Sequence, residues 1–400
     1  MLQTLLTMSD QLSRERSATK PSTGQLSERQ PNDERVFIGE LVGNNPDSWD
    51  RIGELPVGLL RKLGAEGLLC AEVPGAFGGL GLSSQDNGEL TAYVGSLCSS
   101  LRSIMTSQGM AAWTIQRIGD GAQRSRYLAD LTGGRLAAVA FSEPVAGSDL
   151  SAMETQIRVS GDSVVLHGQK MWVTGARYAD LLLVLGLQDE GAAFVAVPAS
   201  APGVRIEPVA DPLGCRAAGH AHVSFDGVRL PVSSVIGGGE QSLPLLFTTA
   251  LSYGRISVAW GCVGILRACL SAATAHAGRR RQAGKLLAHH QLIARHLADL
   301  FAAEQVSTRI CEHASECWAS ASPDMVVAAV LAKHVCAGYA AKSASTAVQV
   351  LASAGSQDGH VVARAYRDAK LMEIIEGSNE ICQLILAQHA LDNSSASPTA

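Results

Sequence analysis

The 400-residue sequence predicts an α+β fold in which an antiparallel β domain is inserted between two helical layers. Three observations predict it. Apolar residues recur at helical spacing from about Glu34 to Leu136, at period two from Ala137 to about Gly239, and again at helical spacing from Gln241 to Leu391. The expected domains are an N-terminal helical domain at 33–136, a middle β-sheet domain at 137–239 and a C-terminal four-helix bundle at 240–392. Tails are expected at 1–32 and 393–400, where Ser, Arg, Gln, Thr and Pro dominate the first and polar residues the second.

In the first helical region, Leu59, Leu60 and Leu63 form one stripe, and the run from Asn87 to Met110 forms a longer one. Between them, Leu68 to Gly81 is a glycine-dense turn. It lacks the G-x-G-x-x-G spacing and the strand-turn-helix context that let backbone amides cradle a pyrophosphate, so it reads as a structural connector. Strands are expected at 155–159, 164–167, 181–187, 193–197, 204–209 and 221–225, with Gly161 and Asp226-Gly227 supplying turn chemistry. Gly237-Gly238-Gly239 is the expected linker into the last domain, whose stripes include Ile293, Leu297 and Leu300, then Val326, Val327, Val330 and Leu331.

Charged residues make up 17%, apolar ones 46% and aromatic ones 4%, with a net charge of -5 and a pI near 6.1. Neither a nucleic-acid nor an anionic-membrane partner is indicated, and no uninterrupted apolar run reaches spanning length. The opening apolar residues are too few for a signal peptide. Nine Cys are scattered without a C-x-x-C pair, which predicts reduced, buried thiols in a cytoplasmic protein. Cys311, His313 and Cys317 share a helix face poorly, so no metal site is expected.

The most informative stretch runs from Arg367 to Glu380. Val362, Ala365, Ala369 and Met372 form one helical stripe; Ile381, Leu384, Ile385 and Leu391 form the next. Glu376 stands at the break. Gly377 frees the backbone, Ser378 suits an N-cap, and Glu380 in the first turn complements the helix dipole. A carboxylate bent out of a helix can face a cleft and act as a base toward a weakly acidic C–H or O–H; a solvated cap is the bland alternative.

Three further stretches stand in register with this junction: Phe141-Ser142-Glu143-Pro144-Val145-Ala146-Gly147-Ser148-Asp149, Gly168-Gln169-Lys170-Met171-Trp172-Val173-Thr174, and the helical positions Arg280 and Gln349. In order and spacing they resemble the acyl-CoA dehydrogenase family, over nearly all of residues 34–391. The resemblance implies FAD lying against the sheet domain. Phe141 and Ser142 would hold the pyrimidine side of the flavin, Trp172 would flank the ring, Thr174 would approach N5, and Ser148 would sit near the pyrophosphate and the thioester arm. Arg280 and Gln349 match positions that reach the FAD of a neighbouring subunit, with Ser353, Ser378 and Glu380 also on the cofactor side, which implies a homodimer or homotetramer. This chain has Ala283 where the family usually carries Phe, so less stacking area and weaker FAD retention are expected.

By the same resemblance Glu376 is the catalytic base. The alternative slot, just before Arg255, holds Gly254. Tyr253 and Arg255 are the expected substrate-side residues, with a structural ion pair as the alternative for Arg255. The stretch from Leu251 to Gly264 and that from Leu351 to Leu391 resemble the subgroup of polyketide clusters that makes hydroxymalonyl or methoxymalonyl extender units. That implies oxidation of a glycerate-derived three-carbon acyl-ACP to 2-hydroxymalonyl-ACP. An α,β-desaturase of acyl-CoA is the alternative, and a carrier-protein-binding scaffold without chemistry is the alternative of another class. An electron-transfer flavoprotein is a further expected partner.

Overall fold

The computed structural model describes residues 31–189 and 191–396; of the tails expected at 1–32 and 393–400, residues 1–30 and 397–400 lie outside the described residues, while 31–32 and 393–396 are helical instead. Among the described residues six α-helices come first: α1 (Pro31–Val42), α2 (Pro46–Ile52), α3 (Val57–Ala65), α4 (Ser84–Leu97), α5 (Ser99–Ile118) and α6 (Gly121–Thr132). Eight strands follow: β1 (Ala137–Ala140), β2 (Gln156–Ser160), β3 (Ser163–Val173), β4 (Leu181–Gln188), β5 (Gly191–Pro198), β6 (Val204–Pro208), β7 (Ala221–Pro231) and β8 (Val235–Gln241). The chain then forms α7 (Leu243–Ala277), a short hairpin of β9 (Arg281–Gln282) and β10 (Lys285–Leu286), α8 (Gln291–Ala319), α9 (Met325–Leu351), α10 (Val361–Met372) and α11 (Asn379–Ala396).

The residues gather into two compact units. One takes the chain up to Arg51, Ser83–Ser99 and everything from Arg255; the other takes Ile52–Leu82 and Ser100–Gly254.

The second unit is built on the sheet, in the order β6-β7-β3-β2-β4-β5-β8, with β1 beside β4. Most pairings are antiparallel, as the short turns require, but β1 runs parallel to β4 and β2 touches β4 in parallel at Gln156 and Leu187. Alternation shows that a strand exists and which face is apolar; it carries no signal for the direction of its neighbour. Leu181 to Leu185 are all buried, so β4 is a continuous apolar run with both faces covered. Ile157, Leu166, Val184, Val195, Val223 and Phe225 share its core. The triple glycine expected as a linker instead runs inside β8, which pairs with β5, so the sheet continues to Gln241.

In the first unit α8 and α9 pack as a pair, and α9 also carries α10 and α11. The stripe expected from Asn87 to Met110 is broken at Cys98, whose extended backbone (φ -156°) ends α4 before α5 begins. Periodicity survives this break because both helices bury a face. Helices α7 and α9 contain the two stretches long and apolar enough to cross a bilayer, but 72% and 50% of those windows are buried inside the protein. Each carries a buried cation, Arg255 or Lys333.

One close approach fixes how α4 meets α7. A Cβ on Gly264 would lie 2.2 Å from the Ala92 carbonyl and 2.7 Å from the Ser96 nitrogen, both backbone atoms that cannot rotate away. Gly264→Ala is therefore expected to destabilise the protein by about 1–3 kcal/mol, the usual cost of overpacking. Urea denaturation of the two proteins reads this as a lower midpoint at unchanged slope.

Candidate active site

Predicted residues of the sheet unit come together around the bulged end of β3. The pairing of β3 with β7 slips between Leu166 and Gly168 and again between Lys170 and Val173. Trp172 sits in the second slip with φ 55°, a left-handed backbone that a bulge permits and a regular strand does not. Its ring is 52% exposed, an unusual state for Trp. The Trp172 backbone N–H donates to His222 Nδ1 at 3.3 Å, and the ring lies 5.8 Å from His220 and 6.2 Å from His222. Two residues on, Thr174 Oγ1 is 3.2 Å from His220 Nδ1, and the Thr174 carbonyl accepts from Ser107 Oγ at 3.0 Å.

Phe141 and Ser142 are half-buried beside this bend, and the Ser142 carbonyl accepts from the Met171 N–H at 2.7 Å. The Phe141 ring meets Phe194 edge-on at 5.9 Å. Ser148 lies exposed at the far end of the same loop, where Asp149 caps the next turn through the Ser151 N–H at 2.9 Å. An ion pair fixes the loop from below. Lys170 Nζ donates to Glu143 Oε1 at 2.7 Å and to the Phe141 carbonyl at 2.9 Å, and the two side chains are 0% and 2% exposed. Glu143 also accepts the N–H groups of Glu154 and Thr155, at 2.6 and 3.1 Å. Burial pulls the Lys170 pKa down to about 8 against the attraction of Glu143. For Glu143, burial pushes upward, but Lys170 and hydrogen bonds from Thr155 and Glu154 outweigh it, leaving the carboxyl below its ordinary range.

Tyr253, also of this unit, is 6% exposed. A Cβ on Gly109 would lie 2.2 Å from its hydroxyl, so the phenol lies against helix α5 as packing.

In the other unit Glu376 stands between α10 and α11, as its sequence context predicts. The bend is sharper than one glycine would give: Glu376 itself has φ 55°, followed by Gly377 at 87°. Ser378 Oγ accepts the Ile381 N–H at 3.4 Å and so caps α11. Glu380 is exposed, and its own backbone N–H and Ser378 hold its carboxyl below the ordinary range. Both residues are thus engaged in starting a helix.

Two buried cations grip the turn. Arg255 Nε donates to the Glu376 carbonyl at 3.1 Å. Lys333, 0% exposed, spends its ammonium on the carbonyls of Glu373 at 3.3 Å and Gly377 at 2.7 Å and on Asn379 Oδ1 at 3.2 Å. Burial lowers the pKa of each cation, and attraction to Glu376 is among the forces opposing it. The Glu376 carboxylate has its Oε2 buried. Lys333 was not legible as functional, because a lone Lys in an apolar stripe matches no motif. The same holds for Glu143, Lys170, His220 and His222, although a charge on the buried side of a strand is a signal that alternation could expose.

Arg280, Gln349 and Ser353 lie exposed, and among the described residues the side chains of Arg280 and Gln349 make no hydrogen bond. Ala283 and Gly284 form the turn of the β9–β10 hairpin with φ 47° and 78°. A primed turn of this kind suits glycine and strains Ala283. The nine cysteines are free and buried; Cys311 Sγ lies 3.6 Å from Cys336 Sγ, and Cys317 Sγ lies 3.7 Å from His313 Nε2.

The fold and these residues define a flavoenzyme class. Family models described as the N-terminal, middle and C-terminal domains of acyl-CoA dehydrogenase match residues 33–135, 138–228 and 245–391. The chain belongs to the acyl-CoA dehydrogenase family: it is an FAD-dependent oxidoreductase acting on acyl thioesters. Among solved structures it is similar to FkbI, for biosynthesis of the methoxymalonyl extender unit of the FK520 polyketide immunosuppressant. The two are 60% identical with a TM-score of 0.86, over 90% of this chain and 99% of that one. It is 30% identical to the probable acyl-CoA dehydrogenase YngJ of Bacillus subtilis, over 89% of this chain and 95% of that protein. It is 31% identical to the human mitochondrial short-chain specific acyl-CoA dehydrogenase, over 84% of this chain and 83% of that protein.

The buried pair beneath the Phe141–Asp149 loop gives a direct test. Lys170→Met strands the Glu143 carboxylate in the interior and is expected to cost about 3–5 kcal/mol, as removal of one partner of a buried ion pair does. The double variant Lys170→Met, Glu143→Met should recover part of that loss, measured by thermal and chemical denaturation.

Proposed function

We propose that this enzyme oxidises a glycerate-derived three-carbon acyl-ACP to 2-hydroxymalonyl-ACP, with Glu376 as the base. The observation that carries the reading is the 60% identity to FkbI across nearly its whole length, joined to a carboxylate held on a left-handed backbone by two buried cations.

The residues present fit a flavin. Trp172, 52% exposed, offers aromatic surface, with the Thr174 hydroxyl two residues away and the Ser142 hydroxyl on the loop bonded to the same strand. Phe141, Ser142, Trp172 and Thr174 would hold the ring, and Ser148 would meet the pyrophosphate and the thioester arm. Arg280, Gln349 and Ser353 would serve the FAD of a second copy in a homodimer or homotetramer. The open side chains of Arg280 and Gln349 support that assignment. When bound, FAD supplies the two-electron acceptor that takes a hydride at N5.

Glu376 takes the proton. The step is a two-electron one at the aldehyde level: in the hydrate of a C3 aldehyde, one O–H proton would pass to Glu376 as C3 loses its hydride, and C3 becomes a carboxyl group, so a C3 alcohol must first lose two electrons in a separate turnover on reoxidised flavin. Arg255 and Lys333 keep the carboxylate in place by fixing the backbone that bears it, so little ordering remains to be done when substrate binds. Arg255 reaches the Glu376 carbonyl, which supports a positioning role.

α,β-Desaturation of an acyl-CoA is the second reading, since the same base would serve it by removing a C–H proton. The proposed partners are an acyl carrier protein and an electron-transfer flavoprotein, and nine buried free thiols support a cytoplasmic setting.

Two measurements test these assignments. Mixed anaerobically with the glyceryl-derived acyl-ACP, the enzyme should bleach its flavin, and Glu376→Gln should slow that step by about 10²–10⁴-fold, the usual worth of a positioned base. Bleaching by short acyl-CoA esters alone would establish the desaturase instead. Titration of the apoprotein with FAD should show weaker binding than in the Ala283→Phe variant; tight, stoichiometric FAD in protein taken straight from cells would contradict the role given to that position.

A further inference from the structure

His220 has no part in the function described so far, yet it lies within hydrogen-bond distance of the Thr174 hydroxyl. Its Nδ1 lies 3.2 Å from Thr174 Oγ1, the residue is 8% exposed, and its Nε2 is buried with no hydrogen-bond partner among the described residues. Burial, with the positive charge of Arg102 second, pulls its pKa down to about 4. At neutral pH the ring is therefore uncharged and carries a single proton.

A neutral imidazole has two ways to meet Thr174. With the proton on Nε2, a buried N–H faces no acceptor, and Thr174 must give its only hydroxyl proton to Nδ1. With the proton on Nδ1, the ring donates to Thr174 Oγ1, and only a lone pair at Nε2 goes unused. Buried donors without acceptors are rarer than acceptors with unfilled lone pairs, which favours the second form. The first form would also turn the threonine oxygen toward the flavin with lone pairs alone, and N5 of an oxidised flavin is itself only an acceptor.

We propose that His220 is held as the Nδ1–H tautomer and donates to Thr174 Oγ1, so that the threonine hydroxyl proton stays free to donate to flavin N5. This rests on the placement of N5 at Thr174 given above. His220 is on this account a positioning residue: it sets the direction of a hydrogen bond without touching the reacting atoms. The same pair makes the local geometry rigid, because Ser107 holds the Thr174 carbonyl at 3.0 Å while His220 holds its hydroxyl.

The tautomer can be read directly by long-range proton–nitrogen correlation on histidine-labelled protein, first without FAD and then reconstituted. Protonated Nδ1 with bare Nε2 is expected; a proton on Nε2 overturns the proposal. Two variants test the consequence. His220→Asn keeps a short side-chain donor and should leave the flavin midpoint potential and the rate of flavin reduction within about threefold of the parent. His220→Leu removes it and should slow reduction by about tenfold, the worth of one neutral hydrogen bond, and shift the potential, with KM unchanged. If His220→Leu changes neither while Thr174→Ala changes both, the histidine has no such role although N5 does lie at Thr174. If Thr174→Ala also leaves the flavin spectrum and potential unaltered, the placement of N5 fails and this inference fails with it.

Discussion

Two charges in the interior decide where the last two helices part. The apolar stripe of α10 could pass into that of α11 with only local adjustment, and a single glycine is weak punctuation in a helix. The Lys333 ammonium instead draws the carbonyls of Glu373 and Gly377 to one point, and the Arg255 guanidinium takes the carbonyl of Glu376. Those oxygens are what a helix end leaves unpaired. Burying two cations is expensive, and the cost is offset only where every proton finds an acceptor and a countercharge is close. The turn provides carbonyls for the first and Glu376 for the second. The carboxylate therefore belongs to the electrostatics of the fold.

The sheet unit reaches a comparable result with other means. Trp172 and Glu376 share a backbone conformation that few non-glycine residues adopt, each at φ 55°. Holding a residue there costs on the order of 1 kcal/mol or more and persists only where the surroundings insist on it. Around Trp172 the insistence comes from the slipped register of β3 on β7, from the His222 ring under its N–H, and from the Lys170–Glu143 pair beneath the neighbouring loop. In both places strain is confined to the residue whose side chain has to leave the regular direction of its element. Next to Glu376 the left-handed backbone continues into Gly377 at φ 87°, a conformation glycine adopts without strain.

Much of this was readable beforehand, and what was not has a physical reason. The order of helices, strands and helices follows from apolar period, which is a one-dimensional property and survives in the chain itself. The break at Glu376 was visible because two stripes change phase around Gly377 and Ser378. The triple glycine misled because composition suggests a linker, whereas β8 needs only backbone to pair with β5. The interruption at Cys98 left no trace, since helices on either side of it bury their faces alike. Lys333, Lys170 and His220 went unseen for a common reason: their partners are distant backbone carbonyls or side chains that only folding brings near. No spacing rule encodes a contact between Lys333 and Gly377, and the motif that included Lys170 drew notice to Trp172 and Thr174 rather than to the charge below them.

With Glu376 as the proposed base, one scaffold can serve different oxidations. If Glu376 were steered by the substrate, changing the acyl group would move the carboxylate and its proton affinity together. Here the backbone on both sides of it is tied to Arg255 and Lys333, so its place is set before anything binds. Which proton the proposed base would take then depends on what the acyl chain presents at that point: an α-C–H in a simple thioester, an O–H in a hydrated aldehyde. The base need not change between the two. Specificity would then fall to the residues that seat the acyl group and its carrier, where this chain, 60% identical to FkbI and 31% identical to the human short-chain enzyme, has room to differ from either.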